Sequence, residues 1–445
     1  MTVFSTEAIT GRGPETPRIA MLANADLSGV VRGRSFPIER LDELRRTGLP
    51  WVPANILLSP VNTIPPGNPF GPVGETRLRA GSGLAMTMPA RGERPAALLQ
   101  ISDICTTDDA PWPVCPRGQL ARAVDDLAAQ HGLRLEVGFE HELFITGLQD
   151  RPTPAFSLAG TRAASGLAED VQAMLRTAGT RLDQFAAEFG AHQFEISAPI
   201  HDALTAADHA VLAREAIRDA ARARGAHASF APKPFAEAPG SGVHIHLSLW
   251  RGDTPVTAAE DRLSAEASAF LAGILAHLPA LLGFTLASAN SFERLLPSNW
   301  VGIYRCWGER NREAAVRFCP RGRSADGRNA GASLEYRLAD GSASPHLALA
   351  ALIRAGMDGL AEGAALPAGV DCDPAGLSAG ERADRGIDAL PASLEVCLDG
   401  LEESGLAGAW FGETLAAALM SVRRNDVADA ARLGDRYRDA FSATI

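Results

Sequence analysis

Residues Leu135 to Ile145 read LEVGFEHELFI, an apolar run broken by Glu140 and Glu142 two positions apart. Its density of Leu, Val, Phe and Ile predicts a buried strand, and successive strand side chains point to opposite faces. Both carboxylates therefore share one face, while Phe139, His141, Leu143 and Ile145 take the other. An unpaired buried ion costs several kcal/mol even after relaxation, so this strand needs a cation, an arginine or water beside it. One isolated E-x-E reads as the solvated face of an amphipathic strand. Three further stretches argue against that reading.

HQFEISAPI places Glu195 among apolar residues, with Glu188 just upstream in FAAEFG. SGVHIHLSLW places His244 and His246 two apart, and SLEYRLADG does the same with Glu335 and Arg337. A sheet whose strands each present acid, imidazole or guanidinium on one side forms a polar funnel. Carboxylates with imidazole and no cysteine suit a hard divalent ion such as Mg²⁺ or Mn²⁺. A second constellation is basic: YRCWGERNREAAVRF carries Arg305, Arg310, Arg312 and Arg317, beside Trp300, Tyr304 and Trp307, and Arg294 lies upstream in NSFERLLP. Arginine forks match phosphate and carboxylate. Metal ions with such a cluster are what phosphoryl transfer needs, since catalysis there is mostly positioning and charge neutralisation. No Walker-type G-x-x-x-x-G-K-[ST] occurs, and the GSG at Gly240–Gly242 is weak by itself.

The chain has 445 residues, 46% of them hydrophobic, and a net charge of −11 spread along its length. That balance speaks against nucleic acid or anionic membrane as a partner, both of which need clustered Lys and Arg. No apolar run reaches membrane-spanning length, and MTVFSTEAIT lacks the charged-then-apolar pattern of a secretory leader. Cys105, Cys115, Cys306, Cys319, Cys372 and Cys397 are scattered and read as reduced thiols of a cytoplasmic protein.

The first hundred or so residues are rich in Pro and Gly, with strand-like runs in ANILLSPV and AALLQISDI; TIPPGNPFGPVGE is too Pro- and Gly-rich for regular structure. TTDDAPWPVCPRG reads as a linker. RGQLARAVDDLAAQHG then predicts a helix with Leu120, Val124 and Leu127 on one face and Gly132 as its stop. Further helices are expected over Asp202–Arg224, Glu260–Leu278, Pro345–Glu362 and the tail from Gly408. Strands alternate with these at long spacing, so the fold class is α+β.

The ordered set E-x-E, E-x(6)-E, F-x-P-K-P, GSG-x-H-x-H-x-S-L, NS-[FY]-x-R-x-x-P, RNR-x-A-x-x-R and E-x-R resembles the glutamine synthetase superfamily from about Asp103 to the C-terminus. The resemblance implies a small β-grasp-like domain (1–112) and a catalytic domain (113–445) whose curved antiparallel sheet forms a metal-lined funnel flanked by helices. By motif position, Glu142, Glu188 and Glu195 would hold one divalent ion, and Glu140, His244 and Glu335 a second, with two to three ions per site. Arg312 and Arg317 would sit on the transferring phosphoryl group, and Ser248, His246 and Arg317 beside ATP. Arg294, Arg337 and Gly240 would bind the amino-acid substrate, and Lys233 would support the funnel wall. The family activates a γ-carboxylate as an acyl phosphate, which an amine displaces, and works as ring-shaped, dodecamer-like homo-oligomers.

Three departures bear on the nucleophile and the acid. LLSPVNTI has no acid where ammonia-using members carry an ammonium-binding Asp, and Trp300 stands where they carry a flap Glu. Pro239 replaces an Asn beside the substrate's amino group, so glutamate or a related amino acid is expected. A γ-glutamyl–amine ligase with Trp300 in its amine pocket is the reading; an ammonia-using glutamine synthetase and a catalytically silent family member are the alternatives. On this reading Glu335→Ala is expected to abolish activity with little loss of folding.

Overall fold

The computed structural model describes residues 16–149, 151–320 and 331–445; the opening stretch MTVFSTEAIT lies outside them. The chain is α+β, as expected. Near the N-terminus a four-stranded sheet runs in the order Val31–Pro37, Ile19–Ala25, Ala97–Ile101, Ala85–Met88, and its central pair is parallel. AALLQISDI supplies one of these strands. ANILLSPV instead forms a 3-10 turn over Pro53–Leu57 that buries Ile56 and Leu57, because Pro53 presets the turn and offers no strand donor.

The second sheet organises the rest. Its main path runs Trp307–Glu309, Val316–Cys319, Ser333–Ala339, Val243–Arg251, Arg134–Thr146, Gln193–Ser197, Gln184–Ala187. All neighbours on this path are antiparallel except the Trp307–Glu309 and Val316–Cys319 pair, which is parallel. There the RNREAA loop doubles back, with Arg310 in left-handed backbone at φ 54° and its N–H donating to the Phe318 carbonyl at 3.0 Å. Along Arg134–Thr146 burial alternates as the pleat requires: Phe139, His141, Leu143 and Ile145 are buried behind the sheet, where the long helix Ala203–Arg222 packs.

The expected helices form with adjusted ends. Pro116–His131 stops at Gly132, whose left-handed φ of 65° only glycine adopts cheaply. Asp202 caps Ala203–Arg222 through its side chain. Pro345–Glu362 has the expected bounds. Glu260–Leu278 is replaced by two helices, Ala265–Ala276 and Leu278–Thr285, bent by 76° where Pro279 cannot continue the first. No single helix among the described residues is long and apolar enough to cross a membrane. TTDDAPWPVCPRG is no free linker: Trp112 and Val114 are buried, and the Cys115 thiol accepts the N–H groups of Ile104 and Gly118.

A buried polar knot joins the N-terminal segment to the helices. Asp208, 1% exposed, accepts from Arg117 Nε at 2.9 Å, His346 Nε2 at 2.8 Å and the Leu84 N–H at 3.1 Å. Burial pushes this carboxyl's pKa up, but His346 and Arg117 outweigh it and hold the group below the usual carboxylate range. Removing one partner of such a set leaves the others charged and dry. Asp208→Ala should therefore cost about 3–5 kcal/mol, read as a lower denaturation midpoint; an unchanged midpoint would show that the knot does not hold these parts together.

Candidate active site

The registers of adjacent strands assemble the site. Glu142 lies opposite Glu195, Glu140 opposite His244, His246 opposite Glu335, and Glu335 opposite Arg317. Every one of these side chains is on the face away from the apolar core, so the period-two pattern of each strand converges on one patch. Glu140 bridges the two imidazoles: its Oε2 lies 3.2 Å from His244 Nδ1 and its Oε1 3.3 Å from His246 Nε2. His244 Nδ1 is also 3.6 Å from Glu335 Oε1. Donor atoms of Glu140, Glu195 and His244 lie within 4.8 Å of one another, as do those of Glu140, His246 and Glu335.

Two groupings overlap the motif trios: His246 stands with Glu140 and Glu335, and Glu195 with Glu140 and His244. Glu142 and Glu188 flank these trios, each steadied by the backbone: Glu142 Oε2 accepts the Gly242 N–H at 2.7 Å and Glu188 Oε2 the Phe189 N–H at 3.0 Å.

Electrostatics make a cation the natural complement. Burial, followed by repulsion from Glu140, Glu188, Glu142 and Glu335, pushes the Glu195 carboxyl up to about 8. Burial and Glu142 likewise raise Glu188. Glu335 is 0% exposed; burial raises it, but His244, Arg337 and neighbouring cations outweigh that and leave it lowered. His246 Nε2 is buried, and Glu140 Oε1 at 3.3 Å faces it without hydrogen-bond geometry. A crowd of carboxylates, one of them driven toward its neutral form, with two imidazoles among them, fits the donor chemistry of hard divalent ions.

The arginines divide into two groups. Arg317 Nε and Arg337 Nη1 both donate to Glu335. Arg337 also donates through Nη2 to the Trp300 carbonyl at 2.8 Å and through Nε to the Arg312 carbonyl at 3.2 Å, tying Glu335 to two loops. The Arg312 side chain is exposed, with no partner among the described residues. Arg294 is buried behind Glu142 with Nη2 on the Ala339 carbonyl at 2.9 Å and Nε facing Asp340 Oδ2 at 3.9 Å, and burial lowers its pKa against the pull of Asp340. A Cβ on Gly240 would fall 2.5 Å from the Arg294 Cβ, so only glycine admits that arginine here. The rest of the basic cluster leaves the site: Arg305 pairs with Asp388 and Arg310 with Glu309, because the short ladder of Tyr304–Arg305 with Asp388–Ala389 turns that edge outward. Ser248 donates to the Ala332 carbonyl at 2.8 Å, and Lys233 Nζ to the Ala238 carbonyl, so both brace the walls.

Trp300 sits at the rim, 55% exposed and in left-handed backbone at φ 57°. Its ring meets Phe189 edge to face, with centroids 6.0 Å apart. Phe189, 61% exposed, escapes a sequence reading; its only signal is that it follows Glu188.

Comparison with known proteins agrees with this architecture. The glutamine synthetase N-terminal domain family matches residues 13–112 and the glutamine synthetase catalytic domain family residues 113–437. A γ-glutamylpolyamine synthetase, GlnA3 of Streptomyces coelicolor, is 34% identical over 96% of this chain and 92% of its own. A glutamine synthetase of Thermococcus kodakarensis is 31% identical over 87% and 84%. A solved structure described as a novel glutamine synthase homolog superposes with a TM-score of 0.87 at 34% identity, covering 96% of this chain and 99% of that one.

The placement of Glu335 revises one expectation. With Arg317 and Arg337 both leaning on it, Glu335→Ala strands two guanidiniums as well as an ion, so it should lower stability, on the order of 3 kcal/mol, besides abolishing ATP turnover. Chelation should stop turnover of the unaltered protein, and Mg²⁺ or Mn²⁺ should raise its melting temperature. Full turnover in excess chelator would remove the metal assignment.

Proposed function

Since the chain belongs to the glutamine synthetase family and is an ATP-dependent C–N ligase of that kind, we propose that it joins the γ-carboxylate of glutamate, or a related amino acid, to an organic amine. The products are the γ-glutamyl amide, ADP and phosphate. The observation that carries this reading is the rim of the funnel: an exposed indole, paired with an exposed phenyl ring, stands where ammonia-using members keep a carboxylate. Ammonium is small and fully charged, and an indole offers it no base. Aromatic faces do suit an alkyl chain and attract an organic cation. The similarity to a polyamine-using relative points the same way.

In this reading Glu142, Glu188 and Glu195, with Glu140, His244, His246 and Glu335, hold two to three Mg²⁺ or Mn²⁺ ions. Those ions neutralise the phosphate charge that the carboxylates alone would repel. Arg312, on its exposed loop, reaches the transferring phosphoryl group, and Arg317 supports it from the sheet. Ser248 and His246 flank the nucleotide. Arg294, with Gly240 making room for it, and Arg337 orient the amino-acid substrate; Arg337 does so while holding the Trp300 loop over the funnel. The γ-carboxylate takes the phosphoryl group from ATP, giving an acyl phosphate that the amine displaces. We place the enzyme in the cytoplasm as a ring-shaped, dodecamer-like homo-oligomer, which suits its acidic charge and scattered thiols.

Steady-state ADP release with glutamate, ATP and Mg²⁺ tests the reading across ammonium, alkylamines, ethanolamine, diamines and polyamines. An organic amine should exceed ammonium in kcat/KM by more than tenfold. Trp300→Ala should shrink that advantage by roughly two- to thirtyfold, the range of a cation–π contact. Ammonium proving the best nucleophile would restore glutamine synthetase.

A further inference from the structure

An amine arrives as an ammonium and must lose a proton before it can attack, yet the two family carboxylates suited to that task are absent from LLSPVNTI and from position 300. The fold brings another acid to the same place. Glu313 lies on the RNREAA loop, where the family pattern leaves the residue open, and its Oε1 accepts the Trp300 N–H at 2.9 Å. Asn311 fixes its backbone, since Asn311 Oδ1 accepts the Glu313 N–H at 2.9 Å while Asn311 Nδ2 donates to the carbonyls of Val370 and Cys372. The other Glu313 oxygen has no hydrogen-bond partner among the described residues. Trp300 thus joins Glu313 at its N–H to Arg337 at its carbonyl, and Arg337 donates directly to Glu335 in the acidic patch.

We propose that Glu313, held at the Trp300 backbone, is the carboxylate that binds the incoming ammonium and takes its proton. This rests on the amine-ligase reading for the identity of the nucleophile, but not for the need of a base. In the step, one proton of R–NH₃⁺ passes to the free oxygen of Glu313. The released lone pair forms the C–N bond to the γ-carbonyl carbon of the acyl phosphate. The C–O bond to phosphate breaks with its electron pair, and the second amine proton leaves with the phosphate. The surroundings favour a base of useful strength: burial raises the Glu313 carboxyl, Asp373 raises it further, and the Trp300 N–H and Arg337 partly offset this. Asp373 is held close by the loop itself, accepting from Ser298 Oγ at 2.7 Å.

The test uses a nucleophile that needs no deprotonation. Hydroxylamine is neutral at pH 7, whereas a primary alkylamine is almost wholly protonated. Glu313→Gln keeps an acceptor for the Trp300 N–H, so the loop should stay in place. Full-length Glu313→Gln should lose about a hundredfold or more in kcat/KM for the alkylamine at pH 7, stay within about threefold of the unaltered enzyme with hydroxylamine, and recover alkylamine activity as pH rises toward the amine's own pKa. Equal loss with both nucleophiles would mean Glu313 only positions the Trp300 loop, and no loss with either would dismiss it; both overturn the proposal. If ammonium is the preferred nucleophile of the unaltered enzyme, the amine-ligase reading fails, and the same comparison of ammonium with hydroxylamine still decides the role of Glu313.

Discussion

Carboxylates crowded on one sheet face are the constraint from which the rest of this structure follows. Strand pleat and antiparallel register bring Glu140, Glu142, Glu195 and Glu335 together with His244 and His246, and Glu188 closes the side. Among the described residues, Arg317 and Arg337 both pair with Glu335. The strain of the remainder is visible in Glu195, held up to about 8. On the proposed function, divalent ions held here would relieve that repulsion and would also supply the charge that a polyphosphate substrate requires. Stability of the site and its chemistry therefore share one cause.

The funnel rim is coupled to that patch through Arg337. Its guanidinium spans Glu335, the Trp300 carbonyl and the Arg312 carbonyl. The left-handed backbone of Trp300 costs about 1–3 kcal/mol for a non-glycine residue and persists because Glu313 holds its N–H and Arg337 its carbonyl. On the amine-ligase proposal, an indole held this firmly yet left exposed is the surface that meets the amine.

Much of this was legible in the sequence because strand periodicity is strict. Glu140 and Glu142 had to share a face, and the buried Phe139, His141, Leu143 and Ile145 leave them only the funnel side. The ordered short motifs then pointed to the family. What stayed hidden depends on loops that meet only in three dimensions. Arg305 and Arg310 looked equivalent to Arg317, but their partners Asp388 and Glu309 draw them outward. Glu313 was lost among arginines, and Phe189 read as one more apolar residue. Strand-like ANILLSPV became a turn because Pro53, just before it, starts a 3-10 turn in place of a strand.

The most direct measurement of the central claim follows an oxygen atom. Glutamate labelled with ¹⁸O in its γ-carboxylate is incubated with the enzyme, ATP, Mg²⁺ and a diamine, and phosphate and organic products are read by mass spectrometry. An acyl phosphate displaced by an organic amine transfers one labelled oxygen to inorganic phosphate and yields a γ-glutamyl amide of the diamine. Unlabelled phosphate, or no amide beyond traces of glutamine, would contradict the account.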